Sequence, residues 1–150
     1  MREVLGEKGL KHDYCEKIIT CEENNCKYTA NNIHRKRVLY YHVDGEMICE
    51  GKRCDYGLAV YEPSGEQKTF YLIELKSSGF AKAVTQIMAT IQILEDVINS
   101  LNLRGEARII MRNIHVPNIT SSYFVELKKL IRKQYHGNTL KKQSGFTEDI

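Results

Sequence analysis

The chain has 150 residues, of which 42% are hydrophobic and 27% charged, and its formal net charge is +3. These values are typical of a single globular domain and exclude a disordered chain or two ordinary domains. No stretch approaches the roughly 20 apolar residues of a membrane span, and the first residues lack a signal-peptide core, so we expect a soluble, cytoplasmic protein.

The first part of the chain mixes charged residues with apolar ones at roughly helical spacing. We therefore predict a helix over residues 8–23, on the strength of Leu10, Tyr14, Ile18 and Ile19. The asparagine pairs at 24–25 and 31–32 predict loops.

Three strands are predicted next, with a short return strand after the first of them. Residues 38–43 are rich in β-branched and aromatic side chains, a turn signal follows at 44–45, and 46–49 is interpreted as a short return strand. Residues 55–61 predict a strand that turns at 63–66. Residues 69–75 form a nearly continuous apolar run, which indicates a strand near the centre of a sheet.

The remaining elements alternate. Apolar residues at spacings of three, four and seven predict a helix over 81–101, and 108–114 predicts another strand. Thr120 or Ser121 is expected to cap a last helix that ends near Tyr135, and the polar tail from residue 137 is expected to be loose. This order indicates an α/β fold in which helices flank a mixed β-sheet.

Five cysteines, an odd number, argue against a closed disulfide framework. They are Cys15, Cys21, Cys26, Cys49 and Cys54. The first three, with a nearby histidine, leave a zinc-stabilised interaction protein as an alternative. Their wide spacing is unlike that of most zinc sites, so we favour reduced cysteines.

Basic residues crowd the C-terminal quarter of the chain. Within the predicted last helix they are Lys128, Lys129, Arg132 and Lys133, and we take these four as candidate nucleic-acid-binding residues. An ordinary solvated face remains the alternative.

Three ionisable residues converge at one end of the predicted hairpin. A turn centred near residues 64–65 pairs positions whose numbers sum to about 129 or 131. Asp55 then lies opposite Glu74 or Lys76, and the last two share one face of their strand. Burying two carboxylates and an amine is costly unless they pair or bind a metal ion. The alternative is a solvent-exposed strand end.

The segment CDYGLAVYEPSGEQKTFYLIELK resembles the PD-(D/E)xK nuclease superfamily, which includes restriction endonucleases, Holliday-junction resolvases and RecB-like nucleases. The matching residues are Asp55, Glu74 and Lys76, and Gln86 resembles a glutamine found in some branches. Cys54 stands where the family name has proline. The resemblance implies a restriction-endonuclease-like fold with the core order α-β-β-β-α-β.

The resemblance also implies a site chemistry. Asp55, Glu74 and the Leu75 carbonyl would bind Mg²⁺ or Mn²⁺, and Lys76 would assist the attacking water or the developing charge. An acidic residue of the first helix is expected to join them; Glu16 is the candidate, with residues 22 and 23 as rivals. We therefore expect a metal-dependent nuclease, with DNA favoured over RNA as substrate. A homodimer or a larger protein partner would supply specificity.

A non-catalytic binding module on the same fold is the alternative from another class. It would keep the sheet and a basic surface for nucleic acid or protein, without productive metal binding. The intact set of Asp55, Glu74 and Lys76 favours the enzyme.

Overall fold

The computed structural model describes residues 1–64, 68–113 and 122–150. Within these ranges the elements are α1 (Arg2–Leu5), β1 (Leu10–Tyr14), β2 (Ile18–Glu23), β3 (Cys26–Asn31), β4 (Val38–His42), β5 (Tyr56–Tyr61), β6 (Lys68–Lys76), α2 (Phe80–Ser100), β7 (Arg104–Met111), α3 (Ser122–Gln134), β8 (Thr139–Gln143) and β9 (Phe146–Asp149). None of these helices is long and apolar enough to cross a membrane.

Two sheets and a helical layer make up this α/β fold. A six-stranded mixed sheet has the order β1-β4-β5-β6-β7-β8, in which β6, β7 and β8 are parallel and the other neighbours antiparallel. A three-stranded sheet has the order β2-β3-β9. The predicted mixed sheet and its α/β class are confirmed.

The large sheet is covered on both faces. On one face Phe70 and Leu72 of β6 pack in a core with α2 and α3. On the other face Ile73 and Leu75 pack in a second core with residues of the three-stranded sheet. This double burial explains the nearly continuous apolar sequence of β6.

The long helix α2 connects β6 to its parallel neighbour β7. Its buried residues recur every three or four positions at Val84, Ile87, Ile91, Leu94 and Ile98. Gly79, with φ of +83°, breaks the strand pattern before it, because only glycine adopts this backbone conformation without strain. The predicted helix is confirmed to within one residue at each end.

The predicted helix over residues 8–23 is wrong, because β1 and β2 occupy this segment. Along β2, Ile19 and Cys21 point into the core while Ile18 and Thr20 are exposed, which is the period of a strand. Glu23 pairs with Cys26 across a two-residue turn whose residues, Asn24 and Asn25, have φ values of +53° and +56°. Asparagine tolerates this left-handed conformation, which two-residue hairpin turns require.

The loose tail from residue 137 is also wrong. Residues 139–143 form β8 at the edge of the large sheet, and residues 146–149 form β9 beside β3. Both strands have a largely exposed side, which allows the polar composition that suggested disorder. Arg108 anchors the tail through an ion pair with Glu148, its Nε lying 2.5 Å from Oε1.

Three smaller predictions differ at their boundaries. Residues 46–49 form turns with one isolated bridge instead of a return strand. β7 begins at residue 104 instead of 108, because Glu106 and Arg108 are buried as an ion pair within it. α3 ends one residue before Tyr135, and its predicted caps Thr120 and Ser121 lie outside the described residues.

Candidate active site

The hairpin of β5 and β6 brings the predicted residues together. Tyr56 pairs with Ile73, so paired positions sum to 129 and Asp55 comes opposite Glu74. Asp55 is buried, and its Oδ2 accepts a hydrogen bond from the Leu75 backbone amide, 2.7 Å away. Of the two registers predicted from the turn, the structure adopts the one in which paired positions sum to 129.

Glu74 and Lys76 form an ion pair on one face of β6. Lys76 Nζ lies 3.0 Å from Glu74 Oε1; the Glu74 side chain is fully buried, whereas 17% of the Lys76 side chain is exposed. Neither carboxylate oxygen of Glu74 accepts a well-aligned hydrogen bond from the described residues. A buried carboxylate held in this way is costly, because a single ion pair does not replace its hydration.

The pKa values of both carboxyl groups reflect this cost. Burial, with the nearby charge of Asp55, raises the pKa of Glu74 from 4.5 to about 8, against the opposing effect of Lys76. Burial also raises the pKa of Asp55 to about 6, opposed by the hydrogen bond from Leu75. Such shifts at a shared site are typical of functional groups, and a bound cation would reverse them.

Helix α2 fixes the residues that precede Asp55. Gln86 Nε2 donates to the Arg53 carbonyl at 2.9 Å, and the Cys54 amide donates to Thr90 Oγ1 at 2.7 Å. Gln86 Oε1 is buried and accepts no hydrogen bond from the described residues. Gln86 therefore lies beside the site, as predicted, with one acceptor left for a small ligand or water.

The tip of the β2–β3 hairpin contacts β6, on the face of the large sheet opposite to α2. Asn24 Nδ2 donates to the Leu75 carbonyl at 3.1 Å, and Cys26 Sγ donates to the Lys76 carbonyl at 3.2 Å. Glu23 is close enough for its charge to raise the pKa of Asp55, and its Oε2 is buried without a hydrogen-bond partner among the described residues. The small sheet thus adds an acidic group to the site.

The structure separates the three acidic candidates of the first segment. Glu16 is exposed and precedes β2, so it lies at the opposite end of this strand from Glu23. Glu22 is exposed and pairs with Lys27, their charged atoms 3.5 Å apart. Of the three, Glu23 is the one brought near Asp55, and the asparagine turn that follows it is the sequence signal that could have identified it.

The four basic residues of α3 begin in the middle of the helix and continue into its last turn. All four, Lys128, Lys129, Arg132 and Lys133, are exposed. The following Tyr135 carbonyl accepts a hydrogen bond from the Gly105 amide, at the start of β7, whereas Lys76 pairs with Met111 at its end. The last turn of α3 is therefore near the end of β7 that is remote from Lys76.

The donor atoms suit a hard cation, although the set is small. Across residues 1–64, 68–113 and 122–150, no group of three or more histidine, cysteine, aspartate or glutamate side chains is arranged to hold a metal ion. This includes the three N-terminal cysteines of the zinc alternative; all five cysteines are free thiols. Asp55, Glu74 and the Leu75 carbonyl offer oxygen donors of the kind that Mg²⁺ and Mn²⁺ prefer.

Comparison with known proteins adds no relative: no family model, curated protein or solved structure matches the chain significantly.

Proposed function

We propose that this protein is a metal-dependent nuclease that hydrolyses phosphodiester bonds in nucleic acid, with DNA favoured over RNA. The observation that carries the proposal is the fully buried Glu74, opposite Asp55 and 3.0 Å from the Lys76 ammonium. Burial of these charges does not by itself stabilise the fold, because a protein with apolar residues of similar size at these positions is often at least as stable. The charges are therefore best explained by a function.

Mg²⁺ or Mn²⁺ is the cofactor that fits this donor set. Asp55 and Glu74 would hold it, with the Leu75 carbonyl as a further oxygen donor. When bound, the cation would activate water and neutralise negative charge on the scissile phosphate. The Leu75 carbonyl oxygen can accept the hydrogen bond from the Asn24 side-chain amide and still offer its second lone pair to the cation.

Lys76 and Gln86 would act on the reacting groups themselves. The Lys76 ammonium is partly exposed and would orient the attacking water or stabilise charge that grows on the phosphate in the transition state. Gln86 Oε1 would accept a hydrogen bond from that water, since it has no partner among the described residues. Glu23, in place of Glu16, would be the additional acidic residue beside Asp55.

The arrangement of elements supports a restriction-endonuclease-like core. The segment from β4 through β5, β6 and α2 to β7 follows the β-β-β-α-β part of the expected order. Residues 8–23, where the first helix was expected, form strands, and the β2–β3 hairpin lies against the site instead. We propose that the chain is a variant of this fold in which a hairpin takes the place of the first helix.

A non-catalytic binding module is the second candidate, and one observation favours it. Lys76 already pairs with Glu74, and Asn24 already bonds to the Leu75 carbonyl, so the site is partly neutralised by its own residues. In that case the basic surface would bind nucleic acid or protein without cleavage.

One experiment separates these candidates. Linear, circular, single-stranded and branched DNA, with RNA in parallel, are incubated with the protein in Mn²⁺, Mg²⁺ or EDTA, and Asp55→Asn protein from the same purification is the control for contaminating nucleases. The nuclease proposal expects cleavage that needs a divalent cation and is lost in the variant. Binding without cleavage of any substrate would contradict it and support the binding module.

A further inference from the structure

A basic notch lies beside the candidate active site. It is a cavity of about 200 Å³ whose lining includes Asp44, Lys52, Arg53, Lys82 and Gln86. Lys52 and Arg53 come from the loop before β5, and Lys82 comes from the first turn of α2. Two separate elements therefore contribute positive charge to one small cavity.

Among the described residues, the Arg53 side chain has charged and polar partners within the basic notch, whereas the two lysine side chains do not. Arg53 Nε lies 2.5 Å from Asp44 Oδ1, and Arg53 Nη1 donates to the Gly51 carbonyl at 2.6 Å, so this guanidinium is fixed and offsets the one acidic group. Lys52 and Lys82 are exposed, and neither forms an ion pair with a residue in the described part of the chain. Two positive charges are thus left for an external anion.

The notch and the active site share their supporting contacts. Gln86 lines the notch and bonds to the Arg53 carbonyl, two residues before Asp55. On the other side, the Val43 amide donates to the Asp55 carbonyl at 2.8 Å, next to Asp44. Asp44 is also close enough for its charge to raise the pKa of Asp55. An anion in the notch would therefore lie next to the carboxylates.

We propose that the basic notch binds a backbone phosphate of the substrate strand, next to the phosphate that is cleaved. The inference rests on the proposed nuclease function and narrows its substrate to a polymer with more than one phosphodiester. A phosphate group has acceptor oxygens for both lysines, and each such interaction releases counterions from the nucleic acid. The single negative charge of the phosphodiester would offset one of the two lysine charges that Asp44 does not neutralise.

A matched pair of charge-reversal variants tests the notch. Lys52→Glu/Lys82→Glu replaces the two unpaired positive charges of the notch with negative charges. Lys17→Glu/Arg35→Glu makes the same change at exposed residues before β2 and β4. The first residue of β4, Val38, pairs with Val60, near the end of β5 that is remote from Asp55. Affinity for a short fluorescein-labelled duplex DNA is measured by anisotropy in Ca²⁺ at several salt concentrations, and cleavage of the same duplex is measured in Mn²⁺. Thermal melting checks that both variants fold.

The notch variant is expected to bind more weakly and with a shallower salt dependence, by about 0.9 in the logarithmic slope for each phosphate that the protein no longer neutralises. Its cleavage should fall mainly through a higher KM, because the lysines bind the phosphate before the transition state. The control should keep the wild-type slope and KM.

The outcomes for the notch and for the enzyme are distinguishable. An unchanged slope and KM in Lys52→Glu/Lys82→Glu, or an equal loss in the control, would overturn the notch proposal even if the wild type cleaves DNA. If the wild type cleaves no nucleic acid in Mn²⁺, the nuclease function fails, and with it the notch as a subsite next to a cleaved phosphate. A notch variant with reduced slope would then show phosphate binding by a non-catalytic protein.

Discussion

At the scale of single residues, the site is a small group of charges whose burial opposes their ionisation. Asp55 and Glu74 face each other across the hairpin; Lys76 forms an ion pair with Glu74, and the Leu75 amide donates a hydrogen bond to Asp55. The sequence allowed this group to be predicted, because a hairpin register follows from its turn. The cost of burial depends on packing between the sheets. The proximity of Glu23 to Asp55 depends on the hairpin turn at Asn24 and Asn25, which the prediction of a helix missed.

Asp55→Asn tests metal binding. Asparagine keeps an acceptor for the Leu75 amide but loses the charge, so we expect the fold to remain intact while most metal affinity and cleavage are lost. Melting temperature with and without Mg²⁺ is the measurement, since a metal bound only to the folded state must stabilise it. Asp96→Asn, at an exposed position of α2, is the control. Wild-type cleavage by Asp55→Asn would show that the site is wrongly assigned.

Lys76→Ala separates catalysis from binding. Because the ammonium acts mainly in the transition state, cleavage should fall by about 10²-fold or more, while DNA binding in Ca²⁺ changes by less than roughly tenfold. Lys68→Ala, at the other end of the same strand, serves as the control. A variant that loses binding and cleavage in equal proportion would mean that Lys76 only binds a phosphate.

Glu74 predicts an unusual pH dependence of stability without metal. Its pKa is raised from 4.5 to about 8 in the folded state, so the folded protein holds this proton more tightly than the unfolded chain. The resulting stabilisation is present below pH 4.5 and is lost as the pH rises towards 8, at roughly 1.4 kcal/mol per unit of pKa difference. Chemical denaturation in EDTA should show this loss in the wild type, compared with Glu74→Gln.

Mg²⁺ at pH 8 should restore the stability of the wild type but not that of Glu74→Gln, because only the charged carboxylate holds the cation. Parallel pH profiles for the two proteins in EDTA would contradict the raised pKa.

At the scale of elements, the sequence predictions were accurate where the pattern of an element lies entirely within its own segment. The apolar spacing of α2 and the run of β6 are complete within their own segments, and both were predicted correctly. β1 and β2 were wrongly predicted as one helix because Leu10, Tyr14 and Ile18 are spaced as in a helix. β8 and β9 are polar edge strands whose partners, β7 and β3, lie elsewhere in the chain, so no local pattern indicates them.

Asn25 provides a test of the left-handed turn between β2 and β3. At φ of +56°, Asn25→Ala should destabilise the protein by about 1 kcal/mol, whereas Asn25→Gly should be nearly neutral. At a position with ordinary negative φ the order would be reversed, because glycine loses more conformational entropy on folding than alanine. Asn25 is exposed, so packing does not confuse the comparison. Denaturant unfolding of the two variants is the measurement, and an Asn25→Ala protein more stable than Asn25→Gly would contradict the turn.

At the scale of the whole molecule, the candidate site lies where all three layers meet. The large sheet supplies Asp55, Glu74 and Lys76; α2 supplies Gln86; and the small sheet supplies Glu23. The first three are close in a local hairpin, whereas the others arrive from distant segments. The three hairpin residues were therefore found from their spacing, whereas Gln86 was expected only from a family resemblance and Glu23 only as a rival to Glu16.

The basic face of α3 gives a prediction at this scale. Reversing Lys128, Lys129, Arg132 and Lys133 together should weaken DNA binding and reduce its salt slope by roughly 0.9 for each duplex phosphate that these residues neutralise in the wild type. The phosphates concerned would lie along α3, whose last turn is near the end of β7 that is remote from Lys76, so binding of a long duplex should be affected more than binding of a short one. An unchanged slope on long DNA would mean that this face is only solvated.

The pairing of β9 with β3 has a consequence for the order in which the protein is assembled. Tyr28 donates a hydrogen bond to Glu148, 120 positions later in the chain. During synthesis, β3 must therefore wait with one edge unpaired until almost every other described element has left the ribosome. An open strand edge is prone to pair with other chains, and such distant contacts form slowly. The hairpin whose tip contacts the Leu75 and Lys76 carbonyls thus pairs with a strand that is made after all the other described strands. A chain that stops before residue 146 would carry the charged residues of the site without this support for the hairpin.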